Sequence, residues 1–170
     1  MILAGQIGAA AAALQADAEG GQAHHDLLQA HRRPKALPRT GQALARSGVT
    51  AMIDISDGLG ADARHLCEAS ELAIQLDRTA VESIVANGVP DTVGEGWLDL
   101  ALGGGEDFAL LATVPSDHVE AAVAAVAEAG ETTAVVIGEV LDGQTDGEAV
   151  VWLVDAEGRR RIDHLGYDHG

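Results

Sequence analysis

The sequence predicts an α/β or α+β domain in which helices pack on a mixed β-sheet. Three observations lead there. Strand-like apolar segments alternate with Ala- and Leu-rich segments of helical period along most of the 170 residues, and each such element must bury its apolar side against another layer. A pair of strand-like segments closes the chain. Apolar residues make up 47% of the sequence and aromatics 2%, too apolar for a disordered acidic chain, so an aliphatic core is expected. The length suits one domain.

Taken in order, Ile2 to Gly8 reads as a strand turning into a helix over Ala9 to Ala16. A Gly/polar patch from Glu19 to Gln22 interrupts, and His24 to His31 is a short helix. Pro34 and Pro38 bracket a basic loop running from Arg32 to Arg39. Gly41 to Arg46 is predicted helical and Val49 to Ile55 a buried strand. Leu59, Ala63, Leu66 and Cys67 recur at helical spacing within Asp57 to Glu68. Leu72 to Leu76 is a strand, Thr79 to Ala86 a short helix, and Asn87 to Gly96 a Gly- and Pro-bearing loop. A strand over Phe108 to Val114 is followed by a helix to Ala129, for which Asp117 and Glu120 stand at capping-box spacing. Thr133 to Val140 and Ala149 to Val154 are the closing strands, joined by the turn-rich Asp142 to Glu148.

The chain carries 27 acidic against 10 basic side chains, a net charge of −17. That balance argues against nucleic acid as a partner, since displacing counterions from phosphates needs a cationic surface. It leaves phosphate ligands open, because carboxylates can hold Mg²⁺ and the metal then binds phosphate. A single cysteine, Cys67, excludes an intramolecular disulfide and reads as a small buried hydrophobe. Met1 to Gln15 lacks a basic leader region and is too short to span a bilayer. A cytoplasmic protein without a membrane partner is expected.

Chemistry concentrates in two segments. In Ala51-Met52-Ile53-Asp54-Ile55-Ser56-Asp57-Gly58-Leu59, Asp54 interrupts an apolar strand, where an unpaired carboxylate is costly and calls for a cation. Alternation puts Asp54 and Ser56 on one side, with Asp57 at the turn, and Gly58 lets the backbone approach a ligand where a helix begins. Two carboxylates and a hydroxyl at a strand end form a reasonable Mg²⁺-phosphate clamp. Helix capping by Ser56 or Asp57 is the plainer reading, but it leaves Asp54 unexplained. The second segment, Gly103-Gly104-Gly105-Glu106-Asp107-Phe108, is an open loop whose acids can receive a cationic or amino group. It reads equally well as a flexible turn with solvated acids.

Together these segments resemble the "IDISDGL" and "GGEDYELL" signatures of the thiamine-monophosphate kinase family, within the superfamily that includes aminoimidazole ribonucleotide synthetase. Supporting similarity lies in His31-Arg32-Arg33-Pro34 with Pro38-Arg39, in Asp62 with His65-Leu66, in the opening Leu3 to Leu14, and in Gly166-Tyr167-Asp168-His169. Phe108 and Ala109 depart from the usual Tyr and Glu, and Gly170 from the closing Phe. The resemblance implies a fold like the C-terminal domain of aminoimidazole ribonucleotide synthetase. Residues 1–170 would be that single domain, with the family's N-terminal ATP-binding and dimerisation domain absent and homodimerisation expected only with it. It implies Mg²⁺ at Asp54 and Asp57, ATP contact at Ser56, and thiamine monophosphate at Glu106 and Tyr167. The implied reaction is ATP-dependent phosphorylation of thiamine monophosphate to thiamine diphosphate, in thiamine biosynthesis. No covalent catalytic residue is needed, the histidines are expected to stand aside, and this length of chain is expected to be inactive alone. The alternative is an inactive fragment or a non-catalytic module that binds nucleotide or thiamine phosphate.

Overall fold

The computed structural model describes residues 1–20, 25–141 and 149–167. The end of the polar patch at Gln22, His24, the turn over Asp142 to Glu148, and Asp168, His169 and Gly170 lie outside them.

The fold class stands as expected, with two four-stranded sheets where one was foreseen. The first sheet has the order β2-β4-β1-β5 and is antiparallel throughout, from β1 (Ile2–Ala4), β2 (Ala51–Asp54), β4 (Leu110–Thr113) and β5 (Ala134–Val136). The second is mixed, in the order β6-β3-β7-β8, from β3 (Ala73–Asp77), β6 (Gly138–Leu141), β7 (Val150–Asp155) and β8 (Gly158–Arg161). Here β3 and β7 run parallel and the other neighbours antiparallel.

Strand alternation sorts the first sheet's side chains between two cores. Ile2, Ala4 and Ala112 pack with Leu44 of α3 (Pro38–Arg46) and with Ala122 and Val126 of α8 (Val119–Ala129). Leu3 and Leu111 face the opposite way and join the main core. That core also takes Ala12 and Ala13 of α1 (Ala9–Ala18), Leu27 of α2 (His25–Arg32), Leu59 and Ala63 of α4 (Leu59–Ser70), and Ile74, Leu76, Val151 and Leu153 of the second sheet. As composition foretold, aliphatic side chains make up both cores.

Several boundaries differ from the expectation, each for a physical reason. The strand predicted over Thr133 to Val140 is two strands in different sheets. The chain changes sheet at the fully buried Ile137, whose amide donates to the Met1 carbonyl at 3.0 Å while its carbonyl accepts from Asp77 at 2.8 Å. Gly138 makes the switch possible, since a Cβ there would lie 2.0 Å from the Gln75 carbonyl oxygen. The closing segments are therefore not neighbours: β3 separates β6 from β7, and the terminal hairpin is β7–β8. α3 starts at Pro38, which suits a first helical turn because no intrahelical donor is lost there.

Two short helices arise where a loop or nothing was predicted, α6 (Val89–Val93) and α7 (Trp97–Gly103), following α5 (Arg78–Glu82). α7 buries Leu98, Ala101 and Leu102, a helical spacing hidden between glycines. The capping box before α8 does not form. A 3-10 turn over Ser116–His118 intervenes, the cap position falls on His118, and no side chain caps it. β2 is not a buried strand but the edge of its sheet, with Met52 and Asp54 exposed.

Candidate functional site

The site is assembled where β2 ends. Past Asp54 the chain enters the core at Ile55, turns through Ser56, Asp57 and Gly58, and begins α4. The turn is held from within by Asp62, one helical turn along α4 and 1% exposed. Its Oδ2 accepts the backbone amides of Ser56 at 3.0 Å, Asp57 at 3.0 Å and Gly58 at 3.2 Å. Burial pushes the Asp62 carboxyl above the usual carboxylate range, against the opposing pull of those amides. His65 Nδ1 lies 3.7 Å from the other oxygen, Oδ1.

The glycine-rich loop packs on this turn backbone to backbone. The Glu106 amide donates to the Ser56 carbonyl and that of Phe108 to the Ile55 carbonyl, both at 2.9 Å, and Ile55 donates to Ala109 at 2.8 Å. Only glycine fits at position 105, because a Cβ would stand 2.0 Å from the Ser56 carbonyl oxygen. Glu106 and Phe108 adopt left-handed backbone angles, φ 65° and 52°, conformations that cost bulky residues energy and persist where surroundings enforce them. Between them Asp107 turns inward, and its Oδ2 accepts the Gly8 amide at 2.7 Å at the start of α1. Burial raises the Asp107 carboxyl to about 7, although amides of Gly8, Ala10 and Ala9 favour its anion.

Glu106 itself is exposed, with His31 Nδ1 of α2 at 3.4 Å from its Oε2. That contact is an ion pair when the imidazole is protonated. Beside it opens a cleft of about 460 Å³. Gly5 and Gln6 of the β1–α1 turn line it, together with Arg33 and Lys35 of the basic loop and Glu106 and Asp107. Asp26 and Glu131 line it as well, and Lys35 Nζ donates to the Glu131 carbonyl, so four carboxylates share the cleft with two cationic side chains, a lining that admits a ligand carrying a positive group beside a phosphate. The third segment arrives from the C-terminus: the Tyr167 amide donates to the Asp57 carbonyl at 2.9 Å, and the residue is 66% exposed.

Of the residues singled out in the sequence, Ser56, Asp57, Glu106 and Tyr167 are thus drawn together by direct backbone bonds between their segments. Asp54 sits on the exposed edge strand, so burial does not oblige it to meet a cation, and that part of the expectation is corrected. Asp57, Asp62 and His65 offer ligand atoms within 4.8 Å of one another, a group that does not include Asp54. Imidazole is a poor Mg²⁺ ligand and one oxygen of Asp62 already serves three amides. The oxygen donors that suit a hard cation on this turn are Asp57 and, at the strand end before it, Asp54; Mg²⁺ commonly takes only one or two carboxylates, with phosphates and waters completing its shell.

Two neighbours escaped the sequence reading. His31, expected to stand aside, touches Glu106. Asp62 was noticed only for its resemblance, although an acid in the first turn of a helix following an Asp-Gly turn is a usable signal. Among the described helices none is long and apolar enough to cross a membrane.

Residues 2–151 match the family model for AIR synthase related protein, C-terminal domain. The chain is similar to the thiamine-monophosphate kinase of Methanopyrus kandleri, with 35% identity over 144 residues that cover 82% of this chain and 43% of that protein. It is similar to that of Mycobacterium tuberculosis at 34% over 114 residues, covering 66% and 34%. The chain therefore spans less than half the length of these curated relatives. Among solved structures, the thiamine-monophosphate kinase of Stenotrophomonas maltophilia K279a superposes with a TM-score of 0.74 at 30% identity, covering 87% of this chain and 50% of that one. A structure described as AaThiL complexed with AMPPCP and TMP gives 0.75 at 25%, covering 99% and 50%. The hydrogenase maturation protein HypE in complex with ATP, at 23% identity and 0.74, shares the fold, with 95% of this chain and 49% of that one covered.

Proposed function

The chain belongs to the family of AIR synthase related proteins, as their C-terminal domain, and from that premise we propose that it is the C-terminal domain of a thiamine-monophosphate kinase. The reaction would move the γ-phosphoryl group of ATP to a phosphate oxygen of thiamine monophosphate. The β–γ P–O bond breaks, a new P–O bond forms, and ADP leaves with thiamine diphosphate as product. What carries this reading is the junction of the Ser56–Gly58 turn with Glu106, beside a cleft that also presents Arg33 and Lys35.

In this proposal Asp54 and Asp57 hold Mg²⁺, and Ser56 meets ATP. Bound Mg²⁺ would offset the repulsion between two phosphate-bearing anions and align them. Glu106 accepts the cationic or amino side of thiamine monophosphate, and Tyr167 lends its exposed ring to the aromatic system. Arg33, which lines the same cleft, is the cation this proposal gives the phosphate, Lys35 Nζ being engaged by the Glu131 carbonyl. No general base is required of the chain, because the attacking phosphate oxygen is already largely ionised near neutral pH.

Titration calorimetry tests the assignment. Asp57→Asn and Asp54→Asn should each weaken Mg²⁺-dependent binding of a non-hydrolysable ATP analogue by about tenfold or more, and Glu106→Gln should do the same to thiamine monophosphate. Unchanged affinities in all three would overturn it. Binding without turnover would favour the non-catalytic module.

A further inference from the structure

Three successive backbone N–H groups converging at a helix N-terminus form a nest of the kind that binds anions directly. Here the nest at Ser56, Asp57 and Gly58 is filled from inside. One buried oxygen, Asp62 Oδ2, accepts all three amides at 3.0, 3.0 and 3.2 Å, and the residue is 1% exposed. The anion such a turn would otherwise recruit is supplied by the chain itself.

We infer that Asp62 is a positioning residue that turns this nest from an anion site into a cation site: by occupying the three amides it denies them to phosphate and fixes Asp57 to face a metal instead. The inference rests on the functional reading above and deepens it. It accounts for an acidic site that serves phosphate ligands. With the amides taken, phosphate reaches the turn only through a cation, and the cation is held by carboxylates whose backbone is pinned on both sides of Asp57. The Glu106 amide on the Ser56 carbonyl and the Tyr167 amide on the Asp57 carbonyl complete the clamp. Each peptide group from 56 to 57 thus has both its N–H and its C=O committed, so the turn has no backbone donor left for a ligand.

The test compares the wild-type chain with Asp62→Ala and Asp62→Glu, each first shown to be folded by circular dichroism. Mn²⁺, as a paramagnetic probe for Mg²⁺, is titrated alone, and pyrophosphate is titrated in the presence of a chelator. Asp62→Ala removes both the acceptor and the charge and so frees the three amides. It should bind Mn²⁺ at least tenfold more weakly and acquire metal-independent pyrophosphate binding that the wild type lacks. Asp62→Glu keeps the charge on a longer arm and should lose Mn²⁺ affinity without that gain. A purely structural role would lower the melting temperature and leave both affinities alone, and Mn²⁺ binding within twofold of wild type in both variants would overturn the inference. Should neither variant fold, amide exchange in the wild type decides: Ser56, Asp57 and Gly58 should be as protected as Leu3 and Leu111, and free exchange there would overturn it. A wild-type chain that binds neither Mn²⁺ nor Mg²⁺-nucleotide overturns the functional reading itself and this inference with it.

Discussion

Ser56 and Glu106 are joined backbone to backbone, the Glu106 amide donating to the Ser56 carbonyl at 2.9 Å. The bond unites the segment proposed to hold metal and nucleotide with the one proposed to hold the second substrate. Both therefore move as one body, and a change in either loop is felt in the other.

Gly105 is where that union is most exposed to mutation. In Gly105→Ala the new methyl would meet the Ser56 carbonyl oxygen and carbon at 2.0 and 2.9 Å, backbone atoms that cannot rotate away. A loss of about 1–3 kcal/mol is expected. Gly41→Ala should do the reverse. This glycine lies within α3 and its Cβ would meet Leu110 Cδ1 at an ordinary 3.5 Å, so relief of backbone entropy should raise stability by about 0.5–1 kcal/mol. Urea unfolding of the two variants measures both signs.

Glu106 offers a separation of stability from binding. Its φ of 65° is conformationally cheap only for glycine, so Glu106→Gly should stabilise the chain by about 1 kcal/mol. The same change should remove affinity for thiamine monophosphate. Glu106→Gln keeps the strained backbone and the exposure, so its stability should stay within about 0.5 kcal/mol of wild type while binding falls. Thermal melts paired with calorimetry check both halves.

Asp107 makes stability depend on pH with a definite sign. Burial raises its folded-state carboxyl to about 7, whereas the unfolded chain titrates near the ordinary aspartate value of about 3.9. Between those values the folded state binds more protons, so this group's contribution to stability falls as pH rises from about 4 to about 7 and levels off above. Asp107→Asn retains an acceptor for the Gly8 amide but does not titrate. The difference in unfolding free energy between the two proteins should grow across that window, in the direction that favours the variant at high pH. A constant difference from pH 4 to 8 would contradict the burial argument.

Cys67 should be silent in the native protein. It is 1% exposed, its Sγ lies 3.6 Å from the Val150 carbonyl oxygen, and burial pushes its thiol up to about 11. Little thiolate exists at pH 8, and reagent access requires opening. A colorimetric disulfide reagent should label it completely in denaturant and at a rate at least a hundredfold slower without.

Much of this architecture was legible locally. Leu59 to Cys67 folds as its helical spacing foretells, because an apolar stripe is itself the requirement for burying one face, and the strand turning into a helix over Ile2 to Ala16 and the short helix ending near His31 also form. Trp97 to Gly103 escaped notice because a helix of that length has little periodicity to display, and glycines on both sides read as loop. The capping box at Asp117 failed for a related reason: the spacing was present, but the chain used the first residues for a 3-10 turn, and local spacing does not register which turn is taken. At the site, the residue types of Ser56, Asp57, Glu106 and Tyr167 were visible, while the inward turn of Asp62 and Asp107 was not.

Residue spacing alone was enough to determine the layered α/β class, the aliphatic core and the two acidic segments, since propensity, patterning and side-chain chemistry act over a few neighbouring residues. Tertiary structure decided what depends on distant pairing. It made β2 an edge strand, so Asp54 faces solvent, where the sequence placed it in a core. It moved the chain from one sheet to the other at Ile137. It also turned Asp107 inward onto amides at the start of α1. A buried carboxylate survives only where donors meet it, and for Asp107 those donors lie at the start of α1, Gly8 being 99 residues away, so the meeting exists only once the chain has folded.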